Sequence, residues 1–286
     1  MTDRPTRVVD AHVHIWDPAR TDWYPYLTQP PDPANATGMN RAFPVDAYRA
    51  ESAGWNVEKF VNVAAATGGN SIDETLELDR EAVVRGGPDA IVGGIPPTDS
   101  LAEAVELLDR QMTAARFRGV RPMGRNEGPL PGAGVLLALA ERDLVFDLMT
   151  HPDQLREAAE GLTPHDTLAV VVEHTGWPRS DSEEERSLWR DGIDALADLG
   201  GHVSCKLSGL AMPLETISVD AFAPWIEYAI EAFGADRCMF ASNFPVDSAY
   251  GTFDDLYTVF NEITAGLDAA SRELLFAGTA ERVYRC

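Results

Sequence analysis

Val8-Val9-Asp10-Ala11-His12-Val13-His14-Ile15 is a short β-branched run that turns polar toward its end. Strict alternation along a strand puts Asp10, His12 and His14 on one face, and Val9, Ala11, Val13 and Ile15 on the face toward packed helices. Similar runs recur seven more times, at 57–64, 90–95, 117–121, 144–149, 168–172, 202–206 and 238–241. Amphipathic stretches lie between them, at 45–53, 71–84, 101–114, 154–159, 183–199, 219–233 and 253–264. Leu101, Ala104, Val105 and Leu108, for example, hold the i, i+3, i+4, i+7 spacing of one helix face. Asp99 or Ser100 caps that helix, Thr252 caps the one after it at 253, and Pro152 suits a first helical position. Strands alternating with helices pair in parallel through right-handed crossovers. Eight units of roughly 36 residues predict one α/β domain over 1–286, a (β/α)8 TIM barrel, close to the typical length of about 250. An open doubly wound sheet would carry a GxGxxG after its first strand, and none is present.

Composition narrows the function. The 286 residues hold 23 Lys+Arg against 46 Asp+Glu, a formal net charge of −23. So acidic a chain repels phosphate backbones and anionic lipid, which argues against nucleic-acid and membrane partners and for a small-molecule substrate. No apolar run approaches the roughly 20 residues of a membrane helix, and the first residues are polar. Cys205, Cys238 and Cys286 are scattered, without a CxxC, and read as free thiols of a reducing compartment. A soluble cytoplasmic protein is expected, with homo-oligomerisation left open.

Polar residues collect at the predicted strand ends, where barrel enzymes keep their active sites. His12 and His14 end the first strand, Arg121 the fourth, His151 the fifth, His174 the sixth, Lys206 the seventh and Asn243 the eighth, with Asp247 in the following loop. Imidazoles so placed bind a metal or polarise a carbonyl oxygen. Each alone could equally be a hydrogen-bonded structural group; their convergence on one face argues for a site. Glu173, of opposite parity to His174, is read as facing the helices. Lys59 and Lys206 are the only lysines. A buried lysine is costly unless paired, so Lys206 is either a ligand-contacting ammonium or half of a structural ion pair. Together with Arg125 and Arg179, these groups predict a locally basic mouth and an anionic substrate. The long 16–43 connection carries Trp16, Trp23, Tyr24 and Tyr26 among prolines, and is expected to be an ordered lid over that mouth, with a packed surface flap as the alternative. Trp16, Tyr24 and Trp177 are its candidate substrate contacts.

The motifs Val9-Asp10-Ala11-His12-Val13-His14-Ile15-Trp16-Asp17, His174-Thr175-Gly176-Trp177-Pro178, Cys205-Lys206-Leu207-Ser208-Gly209 and Ser242-Asn243-Phe244-Pro245-Val246 resemble the amidohydrolase superfamily. Within it they are similar to the branch that includes lactonases of sugar lactones and of 2-pyrone-4,6-dicarboxylate. The resemblance implies a distorted barrel in which His12, His14 and His174 hold one divalent metal (Zn or Mn), or polarise the carbonyl without metal. It also implies a water-activating aspartate where this chain has Asn243. An amide cannot take a proton from water at neutral pH and is a weak ligand. The base is then His151 or Asp247. The expected function is hydrolysis of a small lactone or cyclic ester, with Arg121 and Lys206 holding the substrate. The alternatives are a metal-dependent decarboxylase or carbon–carbon lyase on the same barrel, and a non-catalytic binding protein, which Asn243 motivates.

Overall fold

Eight short strands form where the β-branched runs fall, in a computed structural model that describes residues 3–28, 39–122 and 129–286. They are β1 (Val8–Val13), β2 (Val57–Val63), β3 (Ala90–Ile95), β4 (Phe117–Pro122), β5 (Val145–Leu148), β6 (Val170–Val172), β7 (Val203–Leu207) and β8 (Cys238–Phe240). All neighbours are parallel, in the order β1-β2-β3-β4-β5-β6-β7-β8. Beyond β8 the chain returns to β1: Asn243 N–H donates to His12 O at 2.9 Å and His14 N–H to Phe244 O at 2.8 Å. These bonds draw the sheet into a barrel.

One main helix follows each strand: α1 (Val45–Glu51), α2 (Asn70–Arg85), α3 (Leu101–Gln111), α4 (Ala133–Glu141), α5 (Pro152–Leu162), α6 (Glu183–Ala197), α7 (Val219–Phe233) and α8 (Phe253–Ile263). The (β/α)8 expectation holds. Ser100 caps α3, and Thr252 forms a capping box with Asp255 at α8. The short α9 (Ala269–Glu273) and α10 (Thr279–Tyr284) complete the chain. Among the described residues, no helix is long and apolar enough to cross a membrane.

Two apolar layers flank the sheet. Val8, Phe60, Ile91, Val120, Phe146 and Val170 pack outward against the helices. Val9, Ala11, Val61, Val92, Val145 and Val171 fill the barrel, and Ala280 and Tyr284 of α10 join them. The inner cluster is the side-chain packing that makes such a barrel solid.

The first strand departs from strict alternation. Asp10 pairs with Phe60 and Val13 with Asn62, so three steps on β1 match two on β2. This is a β-bulge, and it puts two successive residues on one side. Val9 and Ala11 therefore point inward, and so do His12 and His14. Asp10 instead turns to the helix layer, where Tyr48 OH donates to Oδ2 at 2.9 Å and Ser242 N–H donates to Oδ1 at 2.8 Å. The expected common face of Asp10 with the two histidines is corrected, as is the outward placement of Val9 and Ala11.

The 16–43 connection is tied at its base by reciprocal Trp16 and Phe43 backbone bonds of 3.3 and 2.8 Å. Its described first part is packed: Trp23, Tyr24 and Leu27 are buried. Tyr24 OH donates to Glu74 of α2 at 2.9 Å, and Tyr26 OH to Ala65 O at 2.8 Å. That part is a flap packed against α2 and the end of β2. Residues 29–38 of the expected lid, and Arg125, lie outside the described residues.

Candidate active site

Three imidazoles meet at the carboxyl ends of β1 and β6. His12 Nε2 lies 3.2 Å from His14 Nε2, and the His12 and His174 rings are 4.6 Å apart. His14 Nδ1 is 2.8 Å from Val63 O. A carbonyl only accepts, so this hydrogen bond assigns the proton to Nδ1 and leaves a lone pair on His14 Nε2. His12 Nδ1 faces Lys206 Nζ at 3.5 Å and Glu173 Oε1 at 3.4 Å. The ammonium can only donate and the carboxylate only accept. Engaging Lys206 leaves the His12 proton on Nε2, toward His14. Engaging Glu173 frees the Nε2 lone pair beside that of His14.

His174 reaches the cluster through its backbone. It has φ 52°, in the left-handed region, and so do Thr175 and Trp177 at 55° and 44°. Such conformations are costly outside glycine and concentrate at functional sites. Ser208 Oγ lies 3.1 Å from His174 Nδ1. Gly209 follows at φ 68°, where an added Cβ would come 2.6 Å from the His174 ring. The Ser208-Gly209 pair after β7 therefore fixes the ring by contact on one side and hydrogen bonding on the other.

Glu173 is the main correction to the sequence reading. Val171 points inward and Val172 outward, so the strand's own parity sends Glu173 inward. It is fully buried, with Arg121 NH1 at 3.4 Å and Lys206 Nζ at 3.7 Å. His174 reaches the same face only because its φ breaks the alternation. Asp147 was also missed. It follows inward-facing Val145 by two positions, and a charged residue at that register was its signal. Lys206 Nζ donates to Asp147 Oδ2 at 2.5 Å, with both side chains fully buried. Of the two readings of Lys206, the ion pair is what the geometry shows, beneath the histidines.

Arg121 is buried apart from a small exposed fraction; it also donates to Ala64 O. Arg179 pairs with Asp153 and Glu185. Each cation expected at the mouth and described here thus has a carboxylate partner, so the expected locally basic mouth is corrected to a balanced one.

Burial keeps the imidazoles neutral. It is the largest cause of depression for all three, reinforced for His14 by Arg121, so that His14 falls to about 3 and His174 to about 4. His12 falls well below its usual value, through burial and then Lys206. Burial alone would raise Glu173, but Arg121 and Lys206 outweigh it and hold the carboxylate ionised.

The remaining candidates are each held by partners of their own. His151 Nδ1 is 2.9 Å from Trp177 O and its ring lies 4.6 Å from that of Trp177. By the carbonyl argument, Nε2 of His151 carries the lone pair. Trp16 runs parallel to His14 at 5.5 Å. Tyr24 points at Glu74. Asn243, at φ 56°, donates through Nδ2 to Asp247 Oδ1 at 2.7 Å. Asp247 Oδ2 is buried without a protein partner, and burial raises this carboxyl to about 8.

Donor atoms of His12, Glu173 and His174 all lie within 4.8 Å of one another. Neutral imidazoles with a carboxylate are the donor chemistry of zinc and similar divalent ions; the set has Glu173 where the sequence expectation had His14, whose Nε2 lies 3.2 Å from His12 Nε2 outside that group. The residues present fit such an ion.

Comparison with known proteins agrees with this arrangement. The family model described as amidohydrolase matches residues 9–286. The protein y4mH of Sinorhizobium fredii is 30% identical, over 97% of this chain and 98% of its own. An L-fucono-1,5-lactonase of Burkholderia multivorans is 27% identical, over 96% and 95%. A crystal structure of a zinc-bound amidohydrolase from Burkholderia multivorans superposes with a TM-score of 0.83 at 26% identity, covering 98% of this chain and 99% of that one. With eight parallel strands, inward-facing histidines at β1 and β6, and a family match from the first strand to residue 286, this chain belongs to the amidohydrolase family.

Proposed function

We propose that the protein hydrolyses a small lactone whose ring carries hydroxyls rather than carboxylates. The observation that carries this reading is the cluster of three neutral imidazoles, His12, His14 and His174, at the carboxyl end of the barrel. Neutral imidazole N–H groups can donate to a carbonyl oxygen without forming a salt with an anion. The paired state of Arg121 and Lys206 supports an uncharged substrate over the anionic one expected from the sequence, and the L-fucono-1,5-lactonase name of a relative points the same way.

Ser208 donating to His174 Nδ1 would leave the His174 proton on Nε2, as a donor to the oxyanion that develops when water attacks. His151, whose Nε2 lone pair is free, is proposed as the base that takes the proton of that water. Asp247, neutral below about pH 8, can donate to a ring hydroxyl through its unpartnered oxygen. A divalent ion held instead by His12, Glu173 and His174 would supply Lewis-acid polarisation of the carbonyl, and His174 Nε2 would then offer its lone pair to the ion rather than a proton to the oxyanion. Arg121 would orient the ring with the one guanidinium nitrogen, Nε, that has no protein partner.

Turnover on a panel of neutral aldonolactones, muconolactone and 2-pyrone-4,6-dicarboxylate tests the proposal. Neutral aldonolactones should be cleaved with the highest kcat/KM, and the His12→Ala, His14→Ala double variant should lose at least about 10³-fold. Wild-type turnover in that double variant, or activity confined to decarboxylation of aromatic acids, would sink the reading.

A further inference from the structure

Below the histidines lies a buried chain of polar groups that the chemistry above does not use. Tyr284, on α10, enters the barrel from its amino-terminal end and is fully buried. Its hydroxyl lies 2.9 Å from Asp147 Oδ1 and 3.1 Å from Oδ2, donating to that carboxylate. Asp147 accepts from Lys206 Nζ at 2.5 Å. Lys206 Nζ in turn lies 3.5 Å from His12 Nδ1 and 3.7 Å from Glu173 Oε1. Every side chain in this path is fully buried, so no water competes for its hydrogen bonds. Lys206 also sits 5.1 Å over the Tyr284 ring, so the one residue holds both members of the ion pair.

The geometry points to Tyr284 as a positioning residue for His12: its hydroxyl anchors Asp147, Asp147 anchors Lys206, and Lys206 sets the Glu173 and His12 pair in register. The Asp147 carboxylate has two oxygens to satisfy at this depth, and Lys206 donates to only one of them, Oδ2. Without the tyrosine hydroxyl the Asp147 carboxylate can swing, and the ammonium moves with it off Glu173 Oε1, loosening the carboxylate that accepts the His12 Nδ1 proton and so frees Nε2. Groups that orient metal-binding or catalytic histidines from behind commonly change affinity or rate by 10–100-fold. This inference rests on the assignment of His12 to the site proposed above, and adds α10 to the machinery.

The test compares Tyr284→Phe, Asp147→Asn and the double variant with wild type, and uses Val283→Ala as a packing control on the same helix. Two readouts are taken: Zn²⁺ affinity by competition with a chromophoric chelator, and kcat and KM on the lactone the wild type cleaves. Tyr284→Phe is expected to weaken zinc or lower kcat by about tenfold with KM within about twofold. The double variant should be no worse than Asp147→Asn alone, because the hydroxyl acts through that carboxylate. Val283→Ala should change neither readout. Equal losses in Val283→Ala and Tyr284→Phe, or additive losses in the double variant, would overturn the inference. Should Tyr284→Phe fail to fold, wild-type values in Asp147→Asn overturn it equally. A wild type that binds zinc but cleaves no lactone refutes the lactonase reading alone, and the zinc readout still decides this one. A wild type that does neither removes the site on which the inference stands.

Discussion

Burial holds the Asp247 carboxyl neutral up to about pH 8, whereas an unfolded chain releases that proton near 3.8. Between those values the folded state keeps one proton that the unfolded state has lost. The stability that Asp247 contributes is therefore fully present at the acid end, and declines as pH rises from 3.8 toward about 8. Asp247→Asn cannot ionise, so its unfolding free energy, from urea titrations across that range, should fall less steeply with pH, by about one proton's worth of slope. An unchanged slope would mean that the carboxyl is ionised in the folded protein. At the position where the family resemblance implies a carboxylate this chain has Asn243, whose amide donates to the Asp247 carboxyl four residues later.

At the scale of elements, Tyr48 ties α1 to β1 by donating to Asp10. Burial raises Asp10 to about 6, and the donors around it oppose that rise. Tyr48→Phe should cost about 1–3 kcal/mol, since it strips a hydrogen bond from a buried acid. The check is a lower urea midpoint with an unchanged m-value; a neutral result would show that the remaining donors, among them the Ser242 and His12 backbone N–H groups, satisfy Asp10 without it. The eight strands and seven of the eight barrel helices were legible from period alone. Helix α4 was not: Ala133-Gly134-Val135-Leu136-Leu137-Ala138-Leu139-Ala140 is apolar all round, so it has no polar face to reveal a period. The histidines were legible because polar side chains at strand ends are conspicuous. Their neighbours were not. Alternation cannot register an inserted residue, so the β1 bulge misplaced Asp10, and it cannot register a left-handed His174, so Glu173 was turned to the wrong side. Tyr284 reaches Asp147 across 137 positions of sequence, a distance no local pattern spans.

For the whole molecule, 46 acidic side chains face 23 basic ones. Even with every cation paired, half of the carboxylates have no counter-charge, and their mutual repulsion opposes the compact state. Raising NaCl from about 0.01 to about 0.15 M shortens the screening length from about 30 to about 8 Å. Repulsion between distant carboxylates should weaken more than the contacts within surface pairs, and the melting temperature should rise by about 2 °C or more. A falling melting temperature would show that the surface pairs, such as Arg20 with Glu77 and Arg41 with Glu51, matter more than the excess charge.

The insertion of Tyr284 into the barrel has a consequence for synthesis on the ribosome. A nascent chain that has completed β1 through β8 still lacks the turn that stoppers the amino-terminal end and fills the second side of Asp147. Until that turn emerges and docks, Lys206 and its carboxylate lack the tyrosine hydroxyl and ring that cover them from that end. The support beneath His12 is thus completed only after all eight strands have been made, by the helix that is made last.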